Sequence, residues 1–351
     1  MKIAIDLWLP RARPGRIPAL VQATRYWRAW RFADPREPDV NHDDAEALTG
    51  AGYAVVFVDV RGTGASFGTW ASPWSRAETA DLGQVVDWIV RQPWSNGRVG
   101  AWGELYSGNT AEMLASVGRS AVKAIVPISD DFDPYRGNAF PGGILSDWLV
   151  KNWTAFNQAL DRNDVCAFEP IVHVACAQLR QGVRGVKPVD ADRSGRLLRA
   201  AVRQHAGNLD VYAVGRKRVF RDERFGPTTI DGWSPFTYLW RLAGAGVAVQ
   251  AWDGWMDAGT ADGALSRFMG PHSPQTVVLG PWSHSLEHDA DPFQPRNAPL
   301  EPSTAEMVRS RIAFLDSYLK GQGGRSGRGR SATRRWARER GTRRPSGRLG
   351  V

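Results

Sequence analysis

The sequence predicts an α/β fold, a doubly wound and mostly parallel sheet carrying an inserted helical cap. Three observations lead there. Residues 54–60 form a run that is apolar except for Asp59, as expected of a strand covered on both faces. From residue 54 to 127, strand-like runs alternate with amphipathic helical stretches, the rhythm of parallel strands joined by crossover helices. Between one such strand and helix lies the turn Gly103-Glu104-Leu105-Tyr106-Ser107-Gly108. It has the layout of a nucleophile elbow, where a strand turns sharply into a helix and presents one side chain at the top of the sheet.

In chain order, residues 1–10 alternate like a strand and stop at Pro10, and 17–23 read as a second strand followed by Thr24-Arg25-Tyr26-Trp27-Arg28. The run 54–60 leads into the glycine-rich loop 61–68, which lacks the Lys-Ser/Thr of a P-loop and does not open directly into a helix, so no nucleotide is expected there. Residues 78–92 form a helix with Leu82, Val85, Val86, Ile89 and Val90 on one face, closed by Pro93 and Gly97. The elbow strand 98–102, the elbow helix 109–117 and a strand at 122–127 follow. From 129 to 241 buried-strand runs are scarce and broken helical patterns dominate, the mark of a mostly helical lid. Sheet character returns at 247–252 and 276–280, and 306–320 is a helix with Ile312, Leu315 and Leu319 on one side. The expected division is therefore a core of 1–128 and 242–320, a cap of 129–241, and a disordered Arg/Gly-rich tail of 321–351.

The formal net charge is +9, but ten of the 45 basic and one of the 36 acidic residues lie in 321–351, leaving a neutral body with 35 of each. A charge excess confined to an appendage argues against specific nucleic-acid recognition. No apolar run approaches the roughly 20 residues of a membrane helix, and the first residues show no cleavable signal, so a cytoplasmic protein without membrane partners is expected. For the same reason Cys166 and Cys176 are expected as free thiols rather than a bridge. His284 and His288 have i, i+4 spacing but lack the Glu context of a zinc helix, and neither metal nor cofactor is expected.

Three strand ends offer Leu105, Asp257 and His284, in the chain order of nucleophile, acid and histidine that accompanies such an elbow. Asp257 would orient the imidazole of His284, and His284 would serve as general base and then acid. Each has a plainer alternative. Asp257 could cap the helix at 258–268, and His284 could be a surface loop histidine. An oxyanion hole needs two donors. The backbone N–H of Tyr106 follows the nucleophile position, and Tyr26 lies at the end of an early strand, where it could equally be an ordinary half-buried aromatic.

Several stretches resemble the cocaine esterase / X-prolyl dipeptidyl-peptidase family of α/β hydrolases. They are Thr24-Arg25-Tyr26-Trp27-Arg28, Asp59-Val60-Arg61-Gly62-Thr63-Gly64, Gln92-Pro93-Trp94-Ser95-Asn96-Gly97-Arg98-Val99-Gly100, Tyr106-Ser107-Gly108-Asn109-Thr110, Gly254-Trp255-Met256-Asp257 and Gly280-Pro281-Trp282-Ser283-His284. The resemblance spans about residues 3 to 320 and implies an α/β-hydrolase fold with a helical cap. It implies acyl-enzyme hydrolysis of small-molecule esters, amides or Xaa-Pro peptides, with Tyr26 as oxyanion tyrosine, Asp257 as triad acid and His284 as triad base. The chain departs from the family twice. The family reads Gly-x-Ser-Tyr-x-Gly, and here Leu105 stands in place of the serine. Leucine has no lone pair, so no acyl-enzyme forms there. Ser107 is the nearest hydroxyl, but centring the motif on it puts Leu105 and Asn109 where the turn needs glycine. Family members usually continue into a jelly-roll domain, which is not expected in this chain. The chain turns into Gly, Arg and Ser after Lys320, as a shifted reading frame would produce. Activity is therefore expected to be weak or lost, leaving either a crippled serine hydrolase or a pseudoenzyme that binds a small acyl or peptide ligand.

Overall fold

The apolar runs become the strands of one central sheet. The computed structural model describes residues 1–12, 15–271 and 273–321, and the backbone of 330–333. Its core elements begin with β1 (Ile5–Trp8), β2 (Ile17–Thr24), β3 (Trp30–Phe32), α1 (His42–Gly50), β4 (Ala54–Asp59), α2 (Arg76–Val90), β5 (Ser95–Glu104), α3 (Tyr106–Ala115) and β6 (Val122–Ile128). The segment expected as a cap contains α4 (Asp147–Asp161), α5 (Glu169–Val172), α6 (Cys176–Gly182), β7 (Val183–Val186), α7 (Arg196–His205), α8 (Val211–Gly215), β8 (Arg224–Phe225), β9 (Thr228–Thr229) and α9 (Leu239–Gly244). The chain then returns to the sheet with β10 (Ala248–Gly254), α10 (Thr260–Met269), β11 (Gln275–Gly280), α11 (Thr304–Leu319) and β12 (Arg330–Thr333).

Among the described residues the central sheet has eight strands in the order β1-β4-β2-β5-β6-β10-β11-β12. β1 runs antiparallel to β4, and the other neighbours pair in parallel. This is the α/β architecture the sequence predicts. Its central strands are buried because helices cover both faces. On one face α2 and α3 pack Leu82, Val86, Ile89, Met113 and Leu114 against Val21, Val56, Val58 and Ala101. On the other, α1 and α11 bring Leu48, Met307, Leu315 and Leu319 onto Leu20, Val55, Phe57 and Trp102. Alternate residues of each strand serve opposite cores, as the two-residue period of a strand requires.

Two features correct or extend the sequence reading. Cys166 and Cys176 are joined as a disulfide, not free. The chain reverses between α5 and α6 and brings the two Cα atoms to 4.6 Å, within bridging range, a geometry that a sequence separation of 10 does not reveal. The segment expected as a cap is also tied to the N-terminal part of the chain by strand pairing, since β7 pairs antiparallel with β3. Beyond Gly321, Arg330–Thr333 adds a parallel edge strand beside β11, and the rest of the tail expected to be disordered lies outside the described residues.

Candidate active site

The elbow is set by close backbone packing. A Cβ on Gly103 would lie 2.5 Å from Cβ of Ser107, and one on Gly108 would lie 2.9 Å from Cβ of Asp130, so strand, turn and helix can meet only with glycine at both places. Leu105 between them takes φ 56° and ψ −122°. Such a backbone costs a non-glycine residue on the order of 1–3 kcal/mol. It is held because the Leu105 N–H donates to Ile128 O at 3.0 Å and Leu105 O accepts from Asn109 N–H at 3.1 Å. The leucine thus occupies the strained backbone position of a nucleophile. Ser107 points elsewhere: its Oγ accepts from Glu104 N–H at 3.0 Å and donates to Glu104 O at 2.7 Å, committing it to the turn.

Asp257 and His284 leave the ends of β10 and β11, and the two loops are knitted together. Trp255 N–H donates to Gly280 O at 2.9 Å and Met256 N–H to Trp282 O at 3.2 Å. Ser129, at the end of β6, accepts from Ser285 N–H through its Oγ at 3.1 Å and fixes the histidine loop from below. Asp257 Oδ1 accepts a hydrogen bond from His284 Nδ1 at 2.6 Å. Asp257 is not the side-chain cap of the following helix, because Gly259 holds the N-cap position of α10. With Nδ1 engaged, Nε2 is the ring nitrogen left to meet a ligand.

Leu105, Tyr26, Tyr106, Asp257 and His284 all line one cavity of about 360 Å³. Trp74, Phe140, Val150, Trp153, Phe225 and Trp233 also line it, so its walls are largely aromatic. Tyr26 Oη accepts a hydrogen bond from Nε1 of Trp153, on α4, at 2.8 Å. That bond fills an acceptor site and leaves the phenolic proton free to donate. Burial pushes the Tyr26 hydroxyl up to about 12, so it stays protonated. The Tyr106 ring is a core residue, since its Oη accepts from Trp70 Nε1 at 3.0 Å and donates to the buried Glu78 carboxyl at 2.8 Å. Burial lifts Glu78 to about 8. The group Tyr106 offers the site is its N–H, which as the first residue of α3 has no partner within the helix.

Two carboxyl groups that sequence reasoning passed over surround the imidazole. Asp131 lines the cavity, its backbone held by paired hydrogen bonds with the Asn109 amide at 2.7 and 2.9 Å. Burial and the neighbouring Asp257 push its carboxyl up to about 6. Burial likewise raises Glu104, beside Leu105. Burial works against a charged His284, but the hydrogen bond and charge of Asp257, joined by Glu104 and Asp131, outweigh it and hold the imidazole above its ordinary value. Asp131 sits just past the end of β6, where ligand-facing residues of such sheets gather, and that position was the available clue. Among the described residues no group of three or more His, Cys, Asp or Glu is arranged to hold a metal ion, and no helix is long and apolar enough to cross a membrane.

Residues 1–286 match the profile of the X-Pro dipeptidyl-peptidase (S15) family. The chain belongs to that family. Among its family-type relatives, a Mycobacterium bovis protein provisionally named a serine esterase is 35% identical over 354 residues, covering 92% of this chain and 55% of the relative. Cocaine esterase from Rhodococcus sp. is 26% identical over 336 residues, covering 92% and 53%. This S15 chain therefore spans about half the length of the curated relatives it matches. Its fold is shared with a CocE/NonD family hydrolase from Staphylococcus aureus, with a TM-score of 0.59 at 19% identity, covering 92% of this chain and 49% of that one. An α-amino acid ester hydrolase gives a TM-score of 0.55 at 20% identity, covering 95% and 54%.

Proposed function

We propose that this chain keeps the acyl-hydrolase site of its family in working geometry but without the covalent route, and that the cavity binds a small acyl or peptide ligand. The observation that carries the reading is Leu105 in the φ 56°, ψ −122° backbone of the elbow, lining the same cavity as the Asp257–His284 pair. In this reading Asp257 orients His284, His284 Nε2 is the base, and Tyr26 O–H with Tyr106 N–H would receive a carbonyl oxygen. The 129–241 segment acts as the lid, with α4 supplying Val150 and Trp153 to the cavity wall. Esters and Xaa-Pro peptides are the ligand classes suggested by the relatives' names.

The missing step is attack on the carbonyl carbon. A serine would give its proton to Nε2 and its oxygen to the carbon, whereas leucine offers neither. In subtilisin, loss of the serine costs about 2 × 10⁶ in kcat, leaving about 10³–10⁴ over water from binding and the oxyanion donors. A loss of that order is expected here. A fluorophosphonate probe tests the reading. The native chain should remain unlabelled and Leu105→Ser should be labelled at the substituted position. Labelling of the native chain in the cavity would restore the enzyme reading, while an inert Leu105→Ser protein with native circular dichroism would mean that the assigned groups do not form a site.

A further inference from the structure

A site with a base and an oxyanion hole but no nucleophile lacks what acyl transfer needs, yet it has what another reaction needs. We propose that this cavity catalyses reversible removal of an α-proton from a small aromatic ketone or aldehyde, that is, enolisation. The inference rests on the site assigned in the preceding subsection and gives it a reaction class that requires no serine.

Leu105 sets which reaction the cavity can support. Its side chain makes the floor of the cavity apolar, beneath walls that include Trp74, Phe140 and Trp233. A water molecule used as direct nucleophile would need two or more polar partners to hold it at that floor, and leucine supplies none. A carbon acid needs none, because its C–H group is apolar and packs against the leucine. With no hydroxyl interposed, Nε2 of His284 meets the ligand directly.

The remaining parts suit the charge that develops. The α C–H bond breaks and its proton passes to Nε2. The C–H electron pair becomes the C=C π bond, and the carbonyl π pair moves onto oxygen. The enolate oxygen would be received by the Tyr26 O–H, whose orientation Trp153 Nε1 sets at 2.8 Å, and by the Tyr106 N–H. The imidazolium formed is held by Asp257 at 2.6 Å, with Asp131 on the cavity wall as a further counter-charge. The His284 side chain is 45% exposed, so its N–H proton can exchange with solvent before return to carbon. Atoms and electrons balance with no oxidant, reductant or second substrate.

Phenylacetone is a suitable probe because it is aromatic, has acidic benzylic protons and contains no hydrolysable bond. The full chain is incubated with it in D₂O near neutral pD, and loss of the benzylic signal is followed by proton NMR. Exchange at about 10² times the buffer rate or more is expected, the scale of a positioned general base. His284→Gln and Tyr26→Phe, each shown to be folded by circular dichroism, should return it towards the buffer rate. Exchange at the buffer rate with the native chain, or exchange that survives His284→Gln, overturns the proposal. The Leu105→Ser labelling experiment separates the two readings. Labelling of that variant without exchange by the native chain removes enolisation alone, and failure of both removes the site itself.

Discussion

The end of β5 and the ends of β10 and β11 meet at one cavity, yet they are complete in different ways. At β10 and β11 interlocked loops hold Asp257 and His284, the proposed acid and base, in a 2.6 Å hydrogen bond. At β5 only the backbone is present. The glycines at 103 and 108, the Leu105–Ile128 hydrogen bond and the positive φ build the elbow around a side chain that cannot react. The difference points to an elbow whose shape comes from its neighbours' packing and whose reactivity would reside in a single side chain. Geometry can therefore outlast chemistry at one strand end while both persist at the next.

If that is right, one substitution should close the gap. Leu105→Ser is the largest effect expected. Hydrolysis of a p-nitrophenyl ester should rise by several orders of magnitude, towards the ~10⁶ that separates serine-bearing from serine-less sites. A gain below about tenfold would mean that the elbow is displaced from the dyad. The converse test acts on the complete strand ends. In the Leu105→Ser background, Asp257→Asn should lower kcat by about 10⁴, because an amide can no longer hold the productive imidazole tautomer. An unchanged kcat would remove Asp257 from the machinery.

The third expectation concerns pH. His284 is held above its ordinary value by Asp257, Glu104 and Asp131 against the opposing effect of burial. A base must be neutral to accept a proton, so activity of Leu105→Ser should fall as pH drops through a value above 6.5, the ordinary value for histidine. Asp131→Asn removes one negative neighbour and should move that acid limb to lower pH. A limb that stays in place would show that the carboxyl of Asp131 does not act on the imidazole.

Legibility differed between the same regions. The strands β2, β4, β5, β6, β10 and β11 were readable as apolar runs, and the helices α2 and α11 by a face buried with a regular period, as Leu82, Val86 and Ile89 are on α2. Order and context in the sequence single out Asp257 and His284, which the structure brings within a hydrogen bond at one cavity. α1 was missed because only Ala45 and Leu48 are buried along it, too little for a pattern. The β3–β7 pairing joins Trp30 to Val186, and nothing local announces a partner so far along the chain. Asp131 and Glu104 escaped for a related reason. Their significance lies in which charges face them after folding, and the Asp130-Asp131 pair read alone is an ordinary acidic loop. The pairing of Cys166 with Cys176 depends on a chain reversal of the same unannounced kind.

The smallest expected effect bears most directly on why the two strand ends differ. A serine at an elbow has a functional reason to tolerate φ near +56°, whereas leucine has none. If packing alone imposes the backbone, Leu105 pays the strain without return, and Leu105→Gly should relieve it. Relief of about 1–3 kcal/mol is opposed by the greater entropy glycine has in the unfolded chain, about 0.4–1 kcal/mol, and by loss of the partly buried leucine side chain. The net change should be small, within about 1 kcal/mol of zero, where truncating a buried leucine without such relief costs about 2–5 kcal/mol. Urea unfolding of Leu105→Gly beside Leu105→Ala distinguishes the terms, since alanine loses the same contacts but keeps a Cβ in the disfavoured backbone. Glycine more stable than alanine places the strain in the turn, as the close approaches at Gly103 and Gly108 require. Equal stability would mean that the elbow relaxes once leucine is removed, and that the leucine itself, not its surroundings, holds the strand end in shape.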